Sequence, residues 1–210
     1  MKTLTFFFAL FISVATVASD KYTEQMTKHI HAVYTANTTE EYQAAINALD
    51  RIALAEKTKW EPYYYSAFGN LMLATRENDK GKKDAFLDLA LASIEKGKII
   101  LATESELIAL EGFVHMIRVT VDPAARGQQY SGLAFQSFGK ALSLNSNNPR
   151  AQALMAQMQF GTAQFFGSST TEACGLALKA LELFNTQNPG NPLAPVWGKE
   201  MTVELLKKCK

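Results

Sequence analysis

After residue 20, apolar side chains return every three or four positions along most of the chain. That is the spacing of one buried helix face. Leu107, Leu110, Val114 and Ile117 are an example. No segment alternates apolar and polar residues as a half-buried strand does, and none is dense in Val, Ile and Thr. Breakers cut the pattern into about nine helical stretches. They run over about 21–35, 38–57, 62–75, 83–101, 104–121, 123–144, 149–165, 170–184 and 195–209. Thr38-Thr39-Glu40-Glu41 is a helix start, because the hydroxyl accepts from free backbone N–H groups and a carboxylate follows. Glu61-Pro62 and Asp122-Pro123 open further helices, since proline early in a helix loses no bond the helix needs.

Lys140-Ala141-Leu142-Ser143-Leu144 recurs as Lys179-Ala180-Leu181-Glu182-Leu183, and Asn-Pro follows soon after each copy, at Asn148-Pro149 and Asn188-Pro189. Helix ends repeated in this way indicate an array of similar units. Small, large and small residues in the order A-x-x-x-F-x-x-A occur at Ala134-Phe138-Ala141, and more loosely at Ala90-Ile94-Gly97 and Ala173-Ala177-Ala180. Gly69, Gly112 and Ala156 supply a small residue in the preceding helix of each pair. On these positions the chain resembles the tetratricopeptide-repeat family, whose unit is a 34-residue helical hairpin. The intervals here are longer. Gly97 to Ala141 and Gly112 to Ala156 are each 44 residues, Gly69 to Gly112 is 43, and Ala141 to Ala180 is 39. The excess falls between the two helices of a unit, over Arg76–Lys83, Thr120–Gly132 and Gly167–Thr171, as insertions along one edge. The expected fold is all-α: a solenoid of about four hairpins with the last helix as a cap, because terminal repeats need capping.

The start of the chain reads differently. Met1-Lys2, an apolar run from Leu4 to Val17, and small residues at Ala15, Ala18 and Ser19 form a secretory leader, with cleavage after Ala18 or Ser19. The run is too short to span a bilayer, which takes about 20 residues. Residues 20–210 are then one domain in the periplasm or outside the cell. Removing Lys2 from 21 basic and 20 acidic residues leaves a neutral chain with no basic run. This argues against nucleic acid and anionic membranes as partners. Cys174 and Cys209 are the two cysteines. If the last two helices are antiparallel about Pro189-Gly190-Asn191, the two meet and bridge, closing a loop that the chain-entropy model values at roughly 3–4 kcal/mol.

The sequence holds little catalytic chemistry. His29 and His31 point to different faces of a helix, and His115 stands alone among Phe113, Val114 and Met116, so no metal site is expected. Phosphate loops, dinucleotide fingerprints and nucleophile elbows are absent. The expectation is a non-enzymatic scaffold without a cofactor, holding a peptide or protein partner. In the family it resembles, the first helices of each unit line a concave groove, which implies Asn70, Phe113 and Gln157 as lining residues. The alternative is a small-molecule or glycan-binding accessory protein, or an enzyme, with its site at the inserted edge. Arg126, Tyr130 and His115 are its candidates. A third possibility is a self-assembling structural protein. For the segment 122–130, the competing structural reading is a helix cap at Asp122 and a tie from Arg126 to a neighbouring helix. Trp60, Tyr63, Tyr64 and Tyr65 crowd one helix start and cover every face of it, so at least one is expected to be exposed; most of them read as core, and the alternative is an aromatic contact for a ligand.

Overall fold

A computed structural model of the protein describes residues 21–188 and 190–209; the expected leader lies outside the described residues. Those residues contain nine helices and no strand. They are α1 (21–35), α2 (Thr39–Ala55), α3 (Glu61–Arg76), α4 (Lys80–Ile100), α5 (Ser105–Val119), α6 (Pro123–Leu144), α7 (Pro149–Phe166), α8 (Thr171–Thr186) and α9 (Lys199–Lys207). The caps follow the sequence. Thr38 and Glu41 form a capping box. Asp79, Asp122 and Asn148 each accept from the backbone N–H three residues on. Gly167 ends α7 at φ 65°, a left-handed conformation that glycine adopts without strain.

The helices pair as hairpins α3/α4, α5/α6 and α7/α8, with α1/α2 before them and α9 after. Odd-numbered helices also touch across units, α3 on α5, α5 on α7 and α7 on α9, whereas no Cα atoms of α4 and α6, or of α6 and α8, come within 8 Å of each other. The stack therefore curves toward its odd helices, which form the inner face. The all-α hairpin array with a C-terminal cap is as the spacing predicts.

All three small–large–small triads face inward. Ala134, Phe138 and Ala141 are fully buried, and so are Ala90, Ile94, Ala177 and Ala180. Small residues let helix axes close to about 8–10 Å. At Gly112 a Cβ would sit 2.6 Å from Cδ1 of Phe138. Helix propensity alone favours alanine over glycine by about 1 kcal/mol. Overpacking costs about 1–3 kcal/mol and wins here. Gly112→Ala is expected to lower stability by about 1–2 kcal/mol, while Gly139→Ala, where nothing lies within 4 Å, raises it slightly. Urea unfolding of both variants checks the contrast, and a stabilising Gly112→Ala would refute the packing argument.

Two expectations are corrected. The excess residues between paired helices are mostly helical, not loop. The turns at 77–79 and 120–122 are short, and the extra length lies in α4 and α6, of 21 and 22 residues. Helix-capping Asp79 and Asp122 start those helices early, so Arg126 and Tyr130 stand on α6 rather than in a loop. The last helix is also shorter than expected. It starts at Lys199, after Gly198 at φ 108°, and the described residues before it, 187–188 and 190–198, run as an irregular strap. Cys174 and Cys209 are joined in a disulfide, with Cα atoms 5.8 Å apart. The bridge lies against a small core of Ala156, Phe160, Ala173, Ala177 and Leu205 that binds α7, α8 and α9 together.

Candidate functional site

Two places gather functional side chains. One is the outer edge where α4, α5 and α6 meet. There the Tyr130 ring lies nearly parallel to the His115 imidazole, centroids 6.0 Å apart. The Arg118 guanidinium sits 5.6 Å from the Tyr130 centroid and bonds Asp88. Arg126 Nη1 donates to both oxygens of Asp84 at 2.7 Å. The sequence candidates Arg126, Tyr130 and His115 are thus brought into one neighbourhood. Arg126 is the tie to a neighbouring helix, and Asp122 is the cap. His115 Nδ1 is buried without a hydrogen-bond partner. Burial pushes the His115 pKa below the ordinary imidazole value, against the pull of Glu111, and Arg118 and Lys98 add to the lowering. The ring is held neutral.

The other place is the inner face. Tyr34 of α1, Tyr64, Tyr65 and Phe68 of α3, and Phe113 of α5 converge there. Tyr34 meets Tyr65 and Phe68 edge to face at 6.0 and 5.8 Å. Phe68 and Phe113 come from neighbouring odd helices and form the aromatic floor of this face. The strap lies across that floor. Trp197 stacks on Phe68 at 5.2 Å and 24°, and on Phe113 at 5.6 Å and 30°. Its Nε1 donates to the Tyr64 hydroxyl at 2.9 Å, and Tyr65 donates to the Leu193 carbonyl at 2.8 Å. Val196 N–H donates to the Tyr34 hydroxyl at 3.4 Å. Burial raises the pKa of Tyr34, Tyr64 and Tyr65. All three hydroxyls therefore stay protonated, and they serve as hydrogen-bonding groups rather than as phenolates.

Arg150 closes one end of this face. It is 1% exposed, an unusual burial for a guanidinium. Its Nε and Nη2 donate to the two carboxylate oxygens of Glu106 at 2.7 and 2.8 Å, and Nη1 reaches the Trp197 carbonyl at 3.4 Å. A planar fork on a carboxylate is the geometry arginine makes well. Beside it, a crevice with only about 10 Å³ of free volume is lined by Leu154, Gln157, Trp197, Met201 and Leu205. Ligand pockets run from about 300 Å³ upward, so this crevice alone is too small for a ligand larger than a few atoms.

The groove residues read from the sequence are placed unequally. Asn70 is 4% exposed; it donates to the Ser66 carbonyl and leaves its Oδ1 unpartnered. Phe113 is buried beneath Trp197. Gln157 is exposed at the crevice. Sequence reading placed Trp197 in a helix and Arg150 nowhere. The signal for Arg150 was available: an arginine in the first turn of a helix opposes the helix dipole and implies a strong partner. Of the four crowded aromatics, Tyr64 and Tyr65 are buried and Trp60 and Tyr63 are half-buried. Among the described residues, no group of three His, Cys, Asp or Glu side chains is placed to hold a metal, and no helix is long and apolar enough to cross a membrane.

No family model and no curated protein matches the chain. A solved structure does. The HusA haemophore from Porphyromonas gingivalis aligns with a TM-score of 0.80 at 28% identity, over 90% of this chain and 92% of that one. The match extends over nearly the whole array and is not confined to one hairpin.

Proposed function

We propose that the protein is an exported, non-enzymatic carrier that binds haem or a closely related flat ring. The observation that carries this reading is the near-complete match, in both directions, to a haemophore. The choice among the sequence expectations moves from the partner-binding scaffold to its alternative, a small-molecule-binding accessory protein. The position of that site moves too. The outer edge around Arg126, Tyr130 and His115 is closed by its own ion pairs, whereas the inner face gathers aromatic rings that stack on a flat indole. The tetratricopeptide-like array serves in this reading as the frame that sets odd helices side by side, so that rings from α1, α3 and α5 converge. Stacking on aromatic faces recognises planar ligands without a metal-ligand bond. A disulfide fits a protein that works in an oxidising compartment.

The test is a titration of the purified protein, without its leader, with haem, followed in the Soret band. A saturable shift with a dissociation constant of about 1 μM or tighter, near 8 kcal/mol of binding free energy, is the expected result. A linear, non-saturating response from the folded protein would refute the carrier reading.

A further inference from the structure

Resting on the carrier reading, we infer that the floor of Phe68 and Phe113 is the binding slot for the planar ligand, and that Trp197 occupies it as a displaceable plug. The floor cannot stand bare. Phe68 and Phe113 are 5% and 4% exposed with the indole in place, and each such ring buries on the order of 150–250 Å². Water on that surface is costly, so either the strap or a ligand covers it. The indole covers it as a flat ligand does, nearly parallel to both rings and with one hydrogen bond at its edge. Exchanging one flat aromatic for a larger one keeps the floor covered throughout.

The strap is built to exchange. Residues 187–198 form no helix or strand among the described residues. Of its hydrogen bonds to the helices, those from Val196 N–H to Tyr34 and from Arg150 to the Trp197 carbonyl are long, at 3.4 Å each. Val196 is 66% exposed, and Trp197 is only half-buried, bordering the crevice. Both ends of the strap are fixed. It leaves α8 and enters α9, and the Cys174–Cys209 disulfide ties those helices together. The strap can therefore bow away from the floor and return without α9 coming loose. Tyr34, Tyr64 and Tyr65 lose strap partners when it leaves and then face the ligand's edge with free hydroxyls. A ligand that must displace the plug binds more weakly by the fraction of time the slot is open.

Two measurements test this. In the wild-type protein, hydrogen exchange across 187–198 is followed with and without saturating haem. Trp197→Ala, with its fold checked by circular dichroism, is titrated beside it. Faster exchange in the strap on haem binding and an affinity gain of about tenfold in Trp197→Ala are expected. Haem binding with strap exchange unchanged or slowed overturns the plug while leaving the carrier reading intact, and so does an unchanged or weakened affinity in a folded Trp197→Ala. If neither folded protein binds haem, the carrier reading falls and the slot with it.

Discussion

Replacing Arg150 by alanine is expected to lower the unfolding free energy by about 3–5 kcal/mol, the usual loss when one partner of a buried ion pair is removed. Arg150 ties four parts of the molecule. It stands at the start of α7, bonds Glu106 of α5 through two nitrogens, reaches the Trp197 carbonyl of the strap, and places its guanidinium 5.9 Å from the ring of Phe184 on α8. Burial works against its charge, but Glu106 outweighs that, and the pKa stays above its already high value. Glu106 is 13% exposed with Arg150 in place, and without Arg150 it has no countercharge bonded to it. The pair as a whole adds less than this loss suggests, because most of the penalty is the stranded carboxylate. A double-mutant cycle separates the two. Arg150→Ala with Glu106→Ala should lose clearly less than the sum of the single losses, with a coupling of about 1–3 kcal/mol. Chemical denaturation of the four proteins measures it. A loss below about 1 kcal/mol for Arg150→Ala alone would show that the pair is not what holds α5 to α7.

The helical frame was legible in the sequence because it is written locally. Each small–large–small triad marks a crossing, and Ala134-Phe138-Ala141 predicts a buried face that the structure places at zero exposure. Thr38, Asp122 and Asn148 announce their helix starts by residue type alone. The excess over a 34-residue unit misled for a physical reason. Length says that residues are added but not in what conformation, and Asp79 and Asp122 cap early enough to turn the additions into helix. The strap across the inner face was not legible. The Tyr65 bond to Leu193 spans 128 residues and the Trp197 bond to Tyr64 spans 133. Neither leaves a period or a spacing in the chain. The apolar run after Pro195 has helical spacing, so it reads as helix until Gly198, at φ 108°, ends that possibility. The expected lining residues were assigned by position in a unit, which cannot see that the chain's own strap lies over Phe113. A hairpin pattern describes the hairpins and is silent on what crosses them.

Reducing the Cys174–Cys209 disulfide is expected to cost roughly 3–4 kcal/mol, from the conformational freedom returned to an unfolded loop of 35 residues. The loss should concentrate at one end of the array. The bridge lies against the small core of α7, α8 and α9, which is separate from the main core that runs from α1 to Leu193. α9 is only nine residues long, with Thr202 and Leu205 as its buried residues. A helix of that length is marginal in water by itself. Once reduced, α9 is expected to fray while α3 to α6 stay intact, so that hydrogen exchange rises across 199–207 well before the rest. The strap loses its fixed far end at the same time, and Trp197 becomes a weaker competitor for its own floor. Urea unfolding of the oxidised protein, the reduced protein and the Cys174→Ser, Cys209→Ser double variant measures the effect. The reduced and double-variant proteins should agree with each other and fall below the oxidised one. Equal midpoints in all three, or exchange rising uniformly along the chain on reduction, would show that α9 is held by its packing and that the bridge adds nothing to the end it closes.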